Sequence, residues 1–287
     1  MKLKVREMEN DRAVIEFDDT NYNFLNSLRR SLVSMVPCLA ISEVDFHMGS
    51  LGSYTDDQEE EMEYESMSSM FNEIIAHRLG MVPIPTEEAE AVIDAFRSAI
   101  DDEDKQPEIM YSLHKQGPCT VYSGDLVPVD GDEQLVINNP TIPIVKLTEN
   151  QAILVYARAK IGNGTTHSKW QTVVAPRFYE ARTMTVTGGK DSAKILEIVG
   201  KSKFKKSGKK YTIKDPIETE KAMKSIEKLW IDGDDSGDCI ELSINEGQFI
   251  FEYETTGALT AKLALEQALK ELKEHFEEFS SHLEKLG

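Results

Sequence analysis

Cysteine is scarce in this sequence. Its 287 residues hold three, Cys38, Cys119 and Cys239, far apart and without a CxxC pair. That distribution argues against a cysteine-ligated zinc or iron–sulfur site and against a disulfide framework. The six histidines are scattered, with no HxxxH or HExxH pair, so neither a zinc hydrolase nor a Cys–His nucleophile can be assembled. No apolar run approaches the ~20 residues of a membrane span. The opening "MKLKVREMEN" alternates like a strand and lacks a signal peptide's apolar core, so the chain is expected in the cytoplasm. Positive charge is also short: 32 Lys and Arg face 51 Asp and Glu, a formal net charge of −19. A surface this acidic repels the phosphate backbone over most of its area.

What is present describes a globular protein. Hydrophobic residues make up 40% and charged residues 29% of the chain, a balance typical of soluble domains, and the length suits two or three domains with a real core. Residues 3–18 read as two strands turning at "ENDR", and Thr20 suits the N-cap of a following helix. "CLAISEVDFHM" reads as a strand. "SMSSMFNEIIAHRLGMVPIP" reads as a short helix with Phe71, Ile74, Ile75 and Leu79 on one face, Gly80 at C′ and Pro83 preventing continuation. "TEEAEAVIDAFRSAI" looks helical, residues 110–170 are strand-rich with Gly, Pro and Asn turns, and "RFYEARTMTV" is a further strand. "IETEKAMKSIEKLW" reads as a helix, and "DCIELSIN" with "QFIFEYET" alternates as a hairpin around Asn245-Glu246-Gly247. Two charge runs stand out: "DDQEEEMEYE" (56–65) and "KSKFKKSGKK" (201–210). Both read as exposed loops, the second with a capacity for anions.

The stretch "NFLNSLRRSLVSMVP" poses a question. No acid lies between Asp19 and Glu43, yet this helical segment carries Arg29 and Arg30 side by side. Leu25, Leu28, Leu32, Met35 and Val36 form one apolar stripe, which Pro37 ends. Arg29 flanks that stripe, and Arg30 sits nearly opposite among Asn26, Ser27 and Ser34. A solvated face in so acidic a protein should be rich in Glu and Lys. Small polar groups with arginine instead suit an interface, because the guanidinium makes planar, bidentate contacts. The alternative is pairing with the chain's own acids.

The last segment has the clearest pattern. Leu265, Leu269, Leu272, Phe276, Phe279, Leu283 and Leu286 are spaced 4, 3, 4, 3, 4, 3, a heptad seam on a helix that Thr260 can cap. Its base is expected to dock on the chain's own sheet, and the rest to meet a partner helix.

The segment "FLNSLRRSLVSMVPCLAISEVDF" resembles the hallmark of the alpha-type assembly subunits of cellular RNA polymerases. "FNEIIAHRLGMVPIP" is similar to the family's second motif. "VYSGDLVP", "PIVKLTENQAI", "AKIGNGTTHSKWQTV" and "FEYETTGALTAKLALEQAL" follow in the order expected of archaeal D-type members. The resemblance implies an α+β fold: a discontinuous α/β dimerisation domain (1–46, 171–189 and 238–287) and an inserted β-rich domain (47–170). Residues 190–237 would be the remnant of a ferredoxin-like insertion. Many relatives hold iron–sulfur clusters there, but no cysteine falls inside this segment, so no cluster and no other cofactor is expected. The resemblance further implies a non-catalytic scaffold whose terminal helix pairs with the small subunit L. Asn26, Arg29 and Arg30 with His77, Arg78 and Gly80 would face the large β-type subunit. DNA would be met only indirectly, through the complex.

Three readings compete. "TVTGGKDSAKIL" (185–196) is similar to the pyrophosphate loop of ATP pyrophosphatases, but that fold needs several further βα units and about ninety residues remain. "GNGTTHSK" (162–169) suggests a phosphate loop without the Gly-Lys-Ser/Thr of a Walker sequence. A homodimeric coiled-coil adaptor would explain the heptads but not the ordered motifs before them.

Overall fold

A computed structural model describes residues 1–55, 61–66, 68–86, 109–188, 191–231 and 239–285. The strands run β1 (Lys2–Met8), β2 (Arg12–Asp18), β3 (Pro37–Phe46), β4 (Ser50–Thr55), β5 (Glu61–Ser66), β6 (Ile109–Gln116) and β7 (Cys119–Tyr122). They continue as β8 (Val127–Pro128), β9 (Pro143–Leu147), β10 (Gln151–Asn163), β11 (Val173–Val186), β12 (Lys205–Ser207), β13 (Lys210–Ile213) and β14 (Ile240–Thr255). Between them lie α1 (Tyr22–Ser34), α2 (Asn72–Gly80), α3 (Ser192–Val199) and α4 (Pro216–Ile231), and α5 (Ala261–Glu284) follows. The class is α+β. The expected helix over 86–100 lies, apart from Thr86, outside the described residues, as does Leu286.

The chain divides into two compact units. The first comprises residues 1–8, 13–26 and 177–252, and most of a six-stranded sheet ordered β1-β2-β14-β11-β13-β12. Aromatic side chains knit its middle: Phe17 meets Phe24 and Phe251 edge-on, and Phe178 stacks on Phe251 with ring centroids 6.3 Å apart. At the other end α3 and α4 bury Ile195, Leu196, Val199, Ala222 and Ile226 with Met184, Val186 and Ile213 of the sheet. Asp215 starts α4, its carboxylate accepting from the N–H groups of Ile217 and Glu218 at 3.0 and 3.1 Å while pairing with Arg6.

The second unit comprises residues 9–12, 27–176 and 253–287. Its sheet runs β4-β5-β10-β6-β8, with β3 also paired to β10. The β3–β10 ladder is antiparallel from Pro37↔Asn163 to Phe46↔Val155, with a shift between Arg158 and Ala159. Leu39, Ile41, Leu113, Val155 and Ala157 from these strands close over Ile75 and Leu79 of α2. The two units cut across α1, β11 and β14, whereas the sequence-based division follows element ends.

Several local expectations change. Asn21, not Thr20, caps α1, its Oδ1 accepting from the Phe24 N–H at 3.0 Å. Asparagine is at least as good a cap as threonine, and the choice depends on where the chain leaves β2. Gly80 is the last helical residue of α2 rather than a left-handed C′ residue. Phe71 and Ile74 are exposed while Ile75 and Leu79 are buried, so the four do not share a face. Residues 240–255 form one long strand, not a hairpin: the chain passes through Gly247 at φ +73° and continues, its carbonyl accepting from the Thr20 N–H. The lysine run is no open loop, since 205–207 and 210–213 pair as a hairpin. Likewise the described part of the acidic run, 61–65, belongs to β5, which pairs with β4.

Candidate docking surfaces

On α1 the apolar stripe is buried as its spacing predicts: Leu25, Leu28 and Leu32 have at most 1% of their surface exposed. Ser31 is buried beside them and donates from Oγ to the Ala268 carbonyl of α5 at 2.7 Å. Two helices can approach that closely only through small residues, and α5 supplies them, burying Ala261, Ala264 and Ala268 with Gln267. Asn26 and Arg29 are half-buried and engaged; Arg30 is exposed and makes no ion pair among the described residues. The two adjacent arginines thus part company, since one flanks the buried stripe and the other lies on the far side of the helix.

Thr260 caps α5, its hydroxyl accepting from the Leu263 N–H at 3.4 Å. Tyr253 anchors the same end by donating from its phenol to the Ala261 carbonyl at 2.6 Å; burial raises this phenol's pKa. The heptad seam lies beside the alanine face. Leu265 and Leu272 are half-buried, and Leu269 (41%), Phe276 (61%), Phe279 (61%) and Leu283 (52%) are exposed. From Lys273 to Lys285 every α5 residue and its C-cap is exposed, so the last three turns are held by helix propensity and i,i+4 pairs such as Lys273–Glu277.

The second candidate surface centres on α2. Arg78 donates to the Ile144 carbonyl at 2.6 Å, which ties the helix to β9. His77 and Gly80 line a cleft of about 280 Å³ together with Ser42 and Val44 of β3 and with His167 and Lys169. A Cβ on Gly80 would sit 3.4 Å from the Ile41 carbonyl, at van der Waals contact, so the helix end lies close against β3. Lys169 reaches the Ile41 carbonyl and Ser42 Oγ, both at 3.1 Å, and its ammonium lies 4.2 Å from the Trp170 ring centroid. Burial lowers the Lys169 pKa.

Sequence reasoning missed this lysine and the purpose of the loop before it. Gly162 lies against the indole of Trp170, where a Cβ would come within 2.5 Å. A Cβ on Gly164 would come within 2.2 Å of the Val33 carbonyl. Thr165 then donates from both its N–H and its hydroxyl to the Ser34 carbonyl at 3.0 and 2.9 Å, satisfying the C-terminal end of α1. The glycines of "GNG" serve close packing rather than a phosphate. The loop therefore touches α1 at its start and the α2 cleft at its end. The only signal in the sequence was the pair of glycines itself.

Among the described residues no group of three or more His, Cys, Asp or Glu could hold a metal, and no helix is long and apolar enough to cross a membrane. Cys38 is buried, its thiol pushed up to about 12 by burial, and it donates to the Trp170 carbonyl. Cys239 is buried as a single cysteine in the α3–α4 cluster. "TGGKDS" follows β11 and precedes α3, but β11 pairs antiparallel with β13, which is not the parallel βα arrangement a pyrophosphatase loop requires.

Residues 62–177 match the family described as RNA polymerase Rpb3/RpoA insert domain, which makes the chain a protein with a polymerase insert domain. Over its whole length the chain is 33% identical to the DNA-directed RNA polymerase subunit Rpo3 of Pyrococcus furiosus, covering 98% of that protein. It is also 33% identical to that of Thermococcus kodakarensis, with 100% of this chain and 99% of the other aligned. The Picrophilus torridus subunit is 31% identical over 88% of both chains. The chain belongs to the Rpo3 family of archaeal DNA-directed RNA polymerase subunits, and its process is transcription.

Proposed function

We propose that this chain is the D-type assembly subunit of an archaeal RNA polymerase, a counterpart of the bacterial alpha N-terminal domain and of the eukaryotic third-largest subunit. It works in the cytoplasm as a non-catalytic scaffold without an iron–sulfur cluster. Residues 1–46, 171–189 and 238–287 act as the dimerisation domain, 47–170 as its insertion and 190–237 as a remnant. The seam of α5 pairs with the small subunit L. Asn26, Arg29 and Arg30, with His77, Arg78 and Gly80 of α2, dock the large β-type subunit, and chemistry stays in the large subunits.

One observation carries the pairing. A capped 24-residue helix is fixed at its base by an alanine face, yet presents Leu269, Phe276, Phe279 and Leu283 to solvent. Apolar surface of that kind marks an interaction site, and a heptad seam specifies a helical partner. The reading of α1 is supported by an exposed Arg30 that makes no ion pair among the described residues. The test is solution mass: the chain is expressed alone and with a small L-like subunit. A stable 1:1 complex is expected, with self-association of the chain alone.

A further inference from the structure

The chain's acidity is not evenly spread. Residues 190–228 carry twelve lysines against six acids, whereas the rest of the chain carries 45 acids against 20 lysines and arginines. Within this basic segment the hairpin β12–β13 brings lysines together. Lys205 pairs with Thr212, and Ser207 with Lys210, so these four share one face of the sheet. Lys205 and Lys210 are diagonal neighbours on it, about 7–8 Å apart by strand geometry. The same face continues onto β11 through Thr185, whose hydroxyl lies 3.3 Å from that of Thr212.

All the lysines from 201 to 210 are exposed. Lys203 pairs with Glu218, and Lys210 stands 3.9 Å from Glu241. Lys201, Lys205 and Lys209 make no ion pair among the described residues. The aromatic residues point the other way: Phe204 and Tyr211 meet each other in the α3–α4 core. Lysines on an edge strand do protect it from pairing with another sheet. That need is met by Lys205 and Lys206 alone, and does not account for Lys201, Lys209 and Lys210.

From this arrangement we infer that the outer face of β12–β13, with Lys201, Lys205, Lys209 and Lys210, contacts the phosphate backbone of double-stranded DNA. Lysine ammonium groups and threonine hydroxyls are phosphate-binding groups. Among the described residues no aromatic ring of β12–β13 lies on this face to stack an unpaired base, which favours a duplex over a single strand. The absence of arginine points to point-charge contacts without base reading. The chain's net charge does not forbid it. At 0.1 M salt the Debye length is about 10 Å, so distant acids are screened while the local lysines act. The relatives' name, DNA-directed RNA polymerase subunit, makes DNA a ligand class that such an assembly handles.

The experiment uses the full-length chain and a fluorescent duplex of about 30 base pairs, read by anisotropy between about 50 and 200 mM salt. The triple variant Lys205→Gln, Lys209→Gln, Lys210→Gln is expected to bind about tenfold more weakly or worse. Its slope of log affinity against log salt should be shallower by about 2–3, because three phosphate contacts are lost. The control Lys2→Gln, Lys146→Gln, Lys262→Gln removes equal charge from exposed positions elsewhere and should match the parent. In the parent protein, duplex should also protect Lys205, Lys209 and Lys210 from amine acetylation, a readout independent of any variant's folding. Equal losses in both triple variants would overturn the inference. So would unprotected lysines, or preferential binding of an acidic peptide, which would make the face a protein-docking surface.

Discussion

Replacing Phe276 and Phe279 with Asp on α5 separates partner binding from folding. Both rings are 61% exposed, so little of their burial contributes to this chain's own stability. Full burial of such a side chain is worth roughly 1.5–3 kcal/mol, so covering the remaining three-fifths yields about 1–2 kcal/mol for each. Leu269 and Leu283, about half exposed, add about 0.7–1.5 kcal/mol each on the same basis. The seam thus offers roughly 3–7 kcal/mol to a partner, and about 1.4 kcal/mol is a tenfold change in affinity. Phe276→Ala alone should weaken the complex with an L-like subunit about 5- to 30-fold by calorimetry, and the double Asp variant should abolish it. Melting temperature should barely move in either, whereas Ala264→Leu or Ala268→Leu, at the buried face, should cost about 1–3 kcal/mol. A double Asp variant that binds normally, or a parent chain that stays monomeric and ignores the small subunit in light scattering, would refute the reasoning.

The two arginines should behave differently. Arg30→Ala should leave stability within about ±0.5 kcal/mol of the parent yet reduce capture by the large β-type subunit; unchanged capture would remove Arg30 from the interface. Arg29→Ala should cost more stability, because Arg29 is half-buried and engaged. In the loop before Trp170, Gly162→Ala and Gly164→Ala should each lower stability by about 1–3 kcal/mol by thermal melting, without creating or removing nucleotide binding. A nucleotide affinity lost in either variant would restore the phosphate-loop reading. Cys38 supplies a pH test. Its thiol ionises near 9 when unfolded but only at about 12 in the fold, so its contribution to stability is intact below pH 9 and lost as pH rises from there to about 12. Cys38→Ala should flatten stability over that range, and native Cys38 should resist alkylation at about pH 8.

Much of the molecule was already legible in the order of its residues. Leu25, Leu28 and Leu32 are buried because a 3.6-residue period puts them on one side of any helix. Thr260 caps α5 because its hydroxyl meets an N–H three residues on, a local event. The family motifs, in order along the chain, identified a polymerase subunit. What tertiary structure decided were the questions of distance. Asn245-Glu246-Gly247 has the composition of a turn, yet β14 runs straight through it, lying between β2 and β11 in the sheet with the Gly247 carbonyl accepting from the Thr20 N–H. The lysine run pairs as a hairpin because Phe204, Tyr211 and Ile213 have a core to enter, and no local rule sees that core. The heptads of α5 showed an apolar seam but not which residues the chain buries itself. Ala261, Ala264 and Ala268 take that place because Ser31 of α1 comes within hydrogen-bonding distance of the Ala268 backbone. A side chain larger than alanine would hold the helices apart, and only the folded chain brings residues 31 and 268 together.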